Sequence, residues 1–187
     1  MARSTSHAAS PPRTTALHIA SIVGGTVLMA LASRVAIPLP WSPVPITGQT
    51  FAIPILVALL GTRGAVASLL LYLAEGSAGL PVFAPVADGT FGIARLFGPS
   101  GGYLIAFPVA AYVTGALFDL GLRRSYLGRL AAILAGTAVV FAGGATWLAH
   151  FLGAERAFAL GVAPFLIGDA LKSLGAAALV PWLRPRS

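Results

Sequence analysis

The chain has 187 residues, of which 57% are hydrophobic and 9% charged, with a mean hydropathy of +0.89. A soluble domain carries roughly 25% charged residues, so this composition excludes a water-soluble fold and marks an integral membrane protein. The absence of cysteine excludes disulfides, thiolate metal sites and cysteine nucleophiles, and the net charge of +7 sits at helix ends rather than in a basic run, which excludes nucleic acid as a partner.

Residues 1–15 are polar, with Arg3, Arg13 and a proline pair, and read as a mobile cytoplasmic tail ahead of a single membrane domain over 16–187. The apolar segment that follows is too long for the h-region of a cleavable signal. A first span is predicted from Leu17 to Ile37, close to the ~20 residues that cross the hydrocarbon core. Ala16, Ala20 and Gly24 recur every four residues along it, a small-residue stripe that lets another helix approach closely.

Pro38, Pro40, Pro43 and Pro45 then force an extended, helix-free segment, with Trp41 placed at the membrane interface. Two short spans follow, Gln49–Leu60 with Pro54 inside it and Gly64–Ala74 running up to Glu75. Irregular backbone at membrane depth is tolerated only where it is buried in protein or lines a cavity. The loops beside these short spans are therefore expected to border a binding site. Residues 76–102 exceed the ~12–15 residues of an ordinary loop, and Phe83, Phe91 and Phe97 argue for a packed cap. A fourth span covers Gly102–Leu120. The basic turn at Arg123, Arg124 and Arg129 leads into a fifth, Leu130–Leu148, and a connection over His150–Gly161 reaches a sixth, Pro164–Trp182.

The predicted fold is an all-α integral membrane protein of six transmembrane helices, with a long structured extracellular loop between the third and fourth. Arg3, Arg13, Arg63, Arg123, Arg124, Arg129, Arg184 and Arg186 fall on the side of the termini, opposed only by Asp119. The other side holds Arg34, Arg95 and Arg156 against Glu75, Asp88 and Glu155. The positive-inside rule places both termini in the cytoplasm.

The sixth span carries the chemistry. A charged side chain at the centre of a spanning helix costs roughly 2.5–3.5 kcal/mol, yet Asp169 and Lys172 stand three residues apart on one helix face, with Ser173 and Ala176. They form either a structural ion pair that locks two helices or a polar binding site facing the bundle interior. Acid–base hydrolysis asks for paired carboxylates or metal-binding histidines, and His7, His18 and His150 lie far apart. Ser173 and Lys172 are adjacent and point about 100° apart, which excludes a Ser–Lys pair. Channels ask for rings of repeated polar positions and carriers for internal repeats, and neither pattern stands out. No Gly-x-x-x-x-Gly-Lys-Ser/Thr loop is present, so active transport would draw energy from another protein or an ion gradient.

Four stretches in order, Pro43-Val-Pro-Ile-Thr-Gly-Gln-Thr50, Leu71-Tyr-Leu-Ala-Glu-Gly-Ser-Ala-Gly-Leu-Pro-Val-Phe83, Gly98-Pro-Ser-Gly-Gly-Tyr-Leu104 and Gly168-Asp-Ala-Leu-Lys172, resemble the BioY family. Its members are the biotin-binding S-components of energy-coupling factor transporters. The resemblance covers nearly the whole chain after residue 15. It implies high-affinity biotin uptake across a bacterial inner membrane, with biotin as transported substrate and no cofactor. Energy would come from a partner module of two ATPases and a transmembrane coupling subunit, contacted through Ala16, Ala20 and Gly24. A secondary carrier for a small anionic solute, acting alone, is the alternative. The family's Asp-x-x-Lys pair falls on Asp169 and Lys172. Biotin offers two ureido N–H donors, a ureido oxygen, a thioether ring and a carboxylate. Gln49, Thr47 and Tyr72 are expected to add hydrogen bonds, Phe83 and Tyr103 to wall the ring, and Arg95 to meet the carboxylate. Tyr72 and Tyr103 could instead be interfacial, Gln49 a helix cap and Phe83 loop packing, while Glu75 is expected to cap a helix or pair with Arg95.

Overall fold

The computed structural model describes residues 12–86 and 88–183. Seven α-helices make up most of it: α1 (Pro12–Arg34), α2 (Gln49–Ser77), α3 (Ala94–Phe97), α4 (Gly101–Asp119), α5 (Tyr126–Leu152), α6 (Ala154–Gly161) and α7 (Leu166–Leu179). Two-residue strands β1 (Ala36–Ile37) and β2 (Ile46–Thr47) form the one antiparallel pair among the described residues. Five segments are long and apolar enough to cross a membrane: Thr15–Arg34, Gln49–Ser77, Gly101–Asp119, Tyr126–Leu152 and Ala154–Trp182. Leu17, Leu31, Leu70, Val109 and Ile167 all point outward in the open. An apolar surface of that extent faces lipid.

Helix α1 is described from Pro12, inside the expected tail. Residues 1–11 lie outside the described residues. The helix stops at Arg34 rather than Ile37, since the residue before Pro38 is held extended and Ile37 pairs with Ile46. The open C-terminal carbonyls of α1 are met from across the loop, where the Gly48 N–H donates to Ala32 O at 3.1 Å and Val35 O at 3.0 Å.

The two short spans occur as a single element broken at Gly61, whose φ of 70° and ψ of 176° are not helical. In a straight helix Gln49 and Tyr72 would stand about 34 Å apart, yet Gln49 Nε2 donates to Tyr72 Oη at 2.8 Å. The chain therefore turns back on itself at Gly61, a left-handed position that glycine accepts without strain.

Helix α4 is the central wall, and it meets α5 through glycines. A Cβ on Gly144 would fall inside the Tyr103 ring, and one on Gly136 would strike Thr114 Oγ1. Small residues here let two helices approach closely. Helix α5 starts four residues earlier than expected, at Tyr126, because Ser125 caps it by accepting the Gly128 N–H at 3.0 Å. The expected connection over His150–Gly161 contains α6, and the sixth span is not one regular helix. Single 3₁₀ turns at Ala163–Phe165 and Val180–Trp182, each with a proline, flank α7.

The stretch between α2 and α4 is a packed cap. Ser33 Oγ and Tyr72 Oη both donate to Val82 O, at 2.7 and 3.1 Å. The Arg34 guanidinium donates to Pro81 O, and Trp147 Nε1 to Gly98 O at 2.9 Å. Of its three phenylalanines only Phe83 points inward. Phe91 and Phe97 are exposed, so the cap is held by hydrogen bonds more than by aromatic burial.

Candidate functional site

The polar floor of the site is α7. Asp169 is 4% exposed, and its Oδ1 accepts from Lys172 Nζ at 2.6 Å and from Thr50 Oγ1 at 2.7 Å. Lys172 Nζ also donates to Thr47 O at 2.7 Å and Thr50 Oγ1 at 3.3 Å. An ammonium has three N–H donors, so Lys172 is fully committed. Both bonds to Asp169 land on Oδ1, leaving Oδ2 without a protein donor among the described residues. Burial of this pair is expensive unless its lone pairs are met, and the free oxygen is where a ligand's N–H can bind. Ser173 belongs to the helix rather than the site, since its Oγ donates to the Asp169 backbone carbonyl at 2.7 Å. The Lys172 bond to Thr47 O also ties the proline-rich segment over 38–47 to α7. A second tie joins that segment to α6, Ser42 Oγ donating to Leu160 O at 2.8 Å.

Above this floor lies a hollow that α2, α4, α5 and α7 line together with the adjoining loops. Its polar lining is Thr47, Gln49, Thr50, Arg95, Ser100, Asp169 and Lys172. The remainder is apolar or aromatic: Tyr103, Leu104 and Phe107 from α4, Val140 and Phe141 from α5, Phe165 before α7, and Val44, Pro45 and Ala84 from the loops. Pro54 and Pro108 each lack the N–H that would bond the carbonyl four residues earlier. Those carbonyls belong to Thr50 and Leu104, both lining residues.

Six of the eight expected site residues meet at this hollow: Asp169, Lys172, Gln49, Thr47, Arg95 and Tyr103. Tyr72 and Phe83 stand one layer behind. Tyr72 is wholly buried and orients Gln49, whose Oε1 also accepts from Thr47 Oγ1 at 3.2 Å. Phe83 packs edge-on against Tyr72 with ring centroids 5.3 Å apart and fills the space above Gly76. Gln49 is buried and follows the capping position, which is Gly48. Tyr103 is buried too, donating to Gly161 O at 2.7 Å, so neither tyrosine sits in an interfacial belt. Glu75 accepts from Thr26 Oγ1 at 3.2 Å on α1 and does not pair with Arg95. Arg95 is buried, and one of its amino groups donates to Ala84 O at 3.2 Å. Desolvation pushes its pKa below the ordinary arginine value, with the charge of Asp88 opposing that.

Sequence reasoning missed Thr50, Ser100 and the apolar walls other than Tyr103. Thr50 had a signal, being three residues after Thr47 on a proline-broken helix start. The walls had none, because apolar residues fill every span.

Ala16 and Ala20 are exposed on α1, and a Cβ on Gly24 would meet nothing within 4 Å. Among the described residues the stripe is therefore left uncovered, while the neighbouring Gly25 faces inward, toward Ser68.

Residues 4–187 match the BioY family. A probable biotin transporter BioY of Pyrococcus horikoshii is 39% identical over 70% of this chain and 75% of its own length. The biotin transporter BioY2 of Lactococcus lactis is 35% identical over 80% of each chain. The biotin transporter BioY of Thermotoga maritima is 33% identical over 81% of this chain and 86% of its own. Among solved structures, the S-component for biotin from an ECF-type ABC transporter superposes with a TM-score of 0.80, at 28% identity and 94% coverage of both chains. A family match over almost the entire sequence, joined to the same helical architecture, makes this chain a multi-pass membrane member of the BioY family.

Proposed function

We propose that the chain is the biotin-capturing S-component of an energy-coupling factor transporter. The observation that carries this reading is the ion pair of buried Asp169 and half-buried Lys172 at the floor of a largely apolar hollow, with Asp169 Oδ2 left open. A ureido N–H donates to Oδ2, and a hydrogen bond to a carboxylate is charge-assisted. The ureido oxygen takes over the longest of the Lys172 contacts, that to Thr50. The thioether ring lies among Tyr103, Phe107 and Phe141, and the carboxylate faces Arg95. Gln49 and Thr47 hold the rim of the floor, while Tyr72 and Phe83 act through Gln49.

The arms of α2 on either side of Gly61 count as two crossings in this reading. Six crossings then put both termini in the cytoplasm and the cap over 78–100 outside, where biotin arrives, in the inner membrane of a bacterial cell. The uncovered face of Ala16, Ala20 and Gly24 is the surface for the transmembrane coupling subunit, with the ATPases beyond it. The family and its relatives are transporters and not enzymes.

The test is equilibrium binding of labelled biotin to the purified chain in detergent, with riboflavin and thiamine as competitors. Tight binding that neither competitor displaces is expected. Asp169→Asn keeps the shape and removes the charge, and should weaken binding about 10- to 100-fold, since a hydrogen bond to a charged group is worth about 1.5–3 kcal/mol. A folded protein that ignores biotin would sink the assignment.

A further inference from the structure

At the end of the hollow away from Asp169, two buried donors have no partner among the described residues: Arg95 Nε and Ser100 Oγ. Both residues are 5% exposed, and a buried donor without an acceptor is costly to keep. Ser100 has a conventional use that it does not take up. It stands at the capping position of α4, where a serine oxygen normally accepts a backbone N–H, yet its side chain makes no such bond. Its hydroxyl is free for something in the hollow.

Beyond these two residues lies a second hollow, walled by Pro38, Pro43, Pro85 and Pro99. Pro45, Arg95 and Ser100 line both hollows, so they form the neck between them. The outer chamber carries one acid, Asp88, whose Oδ1 accepts the Thr90 N–H at 3.0 Å. That bond holds its carboxyl below the usual carboxylate range, so the chamber presents a negative charge.

We propose that Arg95 Nε and Ser100 Oγ hold the acyl oxygen of the ligand, and that the outer chamber takes a substituent borne on that acyl group. A carbonyl oxygen has two lone pairs, so an amide satisfies both donors as a carboxylate does. The substituent that suits the chamber has an aliphatic stem against the prolines and an amine toward Asp88. Biotin joined by an amide to the ε-amine of lysine has both. This rests on the biotin reading above.

The experiment measures displacement of labelled biotin from the full chain by unlabelled biotin, by its primary amide and by the lysine amide. The lysine amide is expected to compete within about tenfold of biotin. Ser100→Ala is expected to weaken all three ligands about tenfold at an unchanged thermal midpoint, because no cap is lost. If biotin and the primary amide bind but the lysine amide needs more than about tenfold higher concentration, the outer chamber does not take substituents and the inference falls, while biotin capture stands. Ser100→Ala with wild-type affinities removes Ser100 from the neck. No biotin binding by the wild type would instead overturn the capture reading itself.

Discussion

Helices α1 and α4 are both apolar enough to span a membrane, and they are used in opposite ways. In α4, 67% of the most apolar window is buried inside the protein, against 17% in α1. Helix α4 is enclosed by α2 and α5, supplies Tyr103, Leu104 and Phe107 to the hollow, and closes against α5 through glycines. Helix α1 touches the rest along one side and leaves Ala16, Ala20 and Gly24 uncovered. Small residues thus do two jobs in one chain. Where they face a neighbour they set the distance between helices, and where they face outward they keep a surface flat for something else to approach.

Substitutions in the two helices should separate these jobs. Gly144→Val drives a branched side chain into the Tyr103 ring. Overpacking costs about 1–3 kcal/mol and sometimes more, so the folded fraction in detergent should collapse on size exclusion. Thr50→Val tests the hollow rather than the seam. It removes the hydroxyl that joins Asp169 and Lys172 and should weaken biotin binding by about 1–3 kcal/mol in a protein that still elutes as wild type. Trp147→Phe deletes the bond to Gly98 O. A thermal midpoint lowered by the equivalent of about 1 kcal/mol, with faster hydrogen exchange confined to the cap, is the expected result. Gly24→Leu should move stability by no more than about 0.5 kcal/mol and leave biotin binding alone, yet abolish co-purification with the coupling subunit. A Gly24→Leu protein that unfolds like Gly144→Val would erase the contrast.

Much of the helical layout was legible in the sequence because membrane spans are long and apolar, and a buried Asp and Lys stand out against such a background. What could not be read is contact at a distance. Thr50 reaches Asp169 across 119 positions, and nothing near Thr50 announces that partner. Aromatic residues misled in both directions. Phe83 reads like a ring wall but supports Tyr72 from behind, whereas Phe107, Phe141 and Phe165 line the hollow and look like any other span residue. Helix ends moved by a few residues wherever a cap or a proline overrode hydropathy, as at Ile37 and Ser125. Ser100 shows the converse, a capping residue by position whose hydroxyl makes no cap bond.

The reversal at Gly61 also bears on the parity of the chain. By length and composition Gln49–Ser77 is one apolar run, and a single passage there would send the two ends of the protein to opposite faces. In the six-crossing reading proposed above, one left-handed glycine makes the number even. A reporter fused after residue 187 would register the difference as a switch of compartment, so in that reading the orientation of the whole molecule turns on one backbone angle.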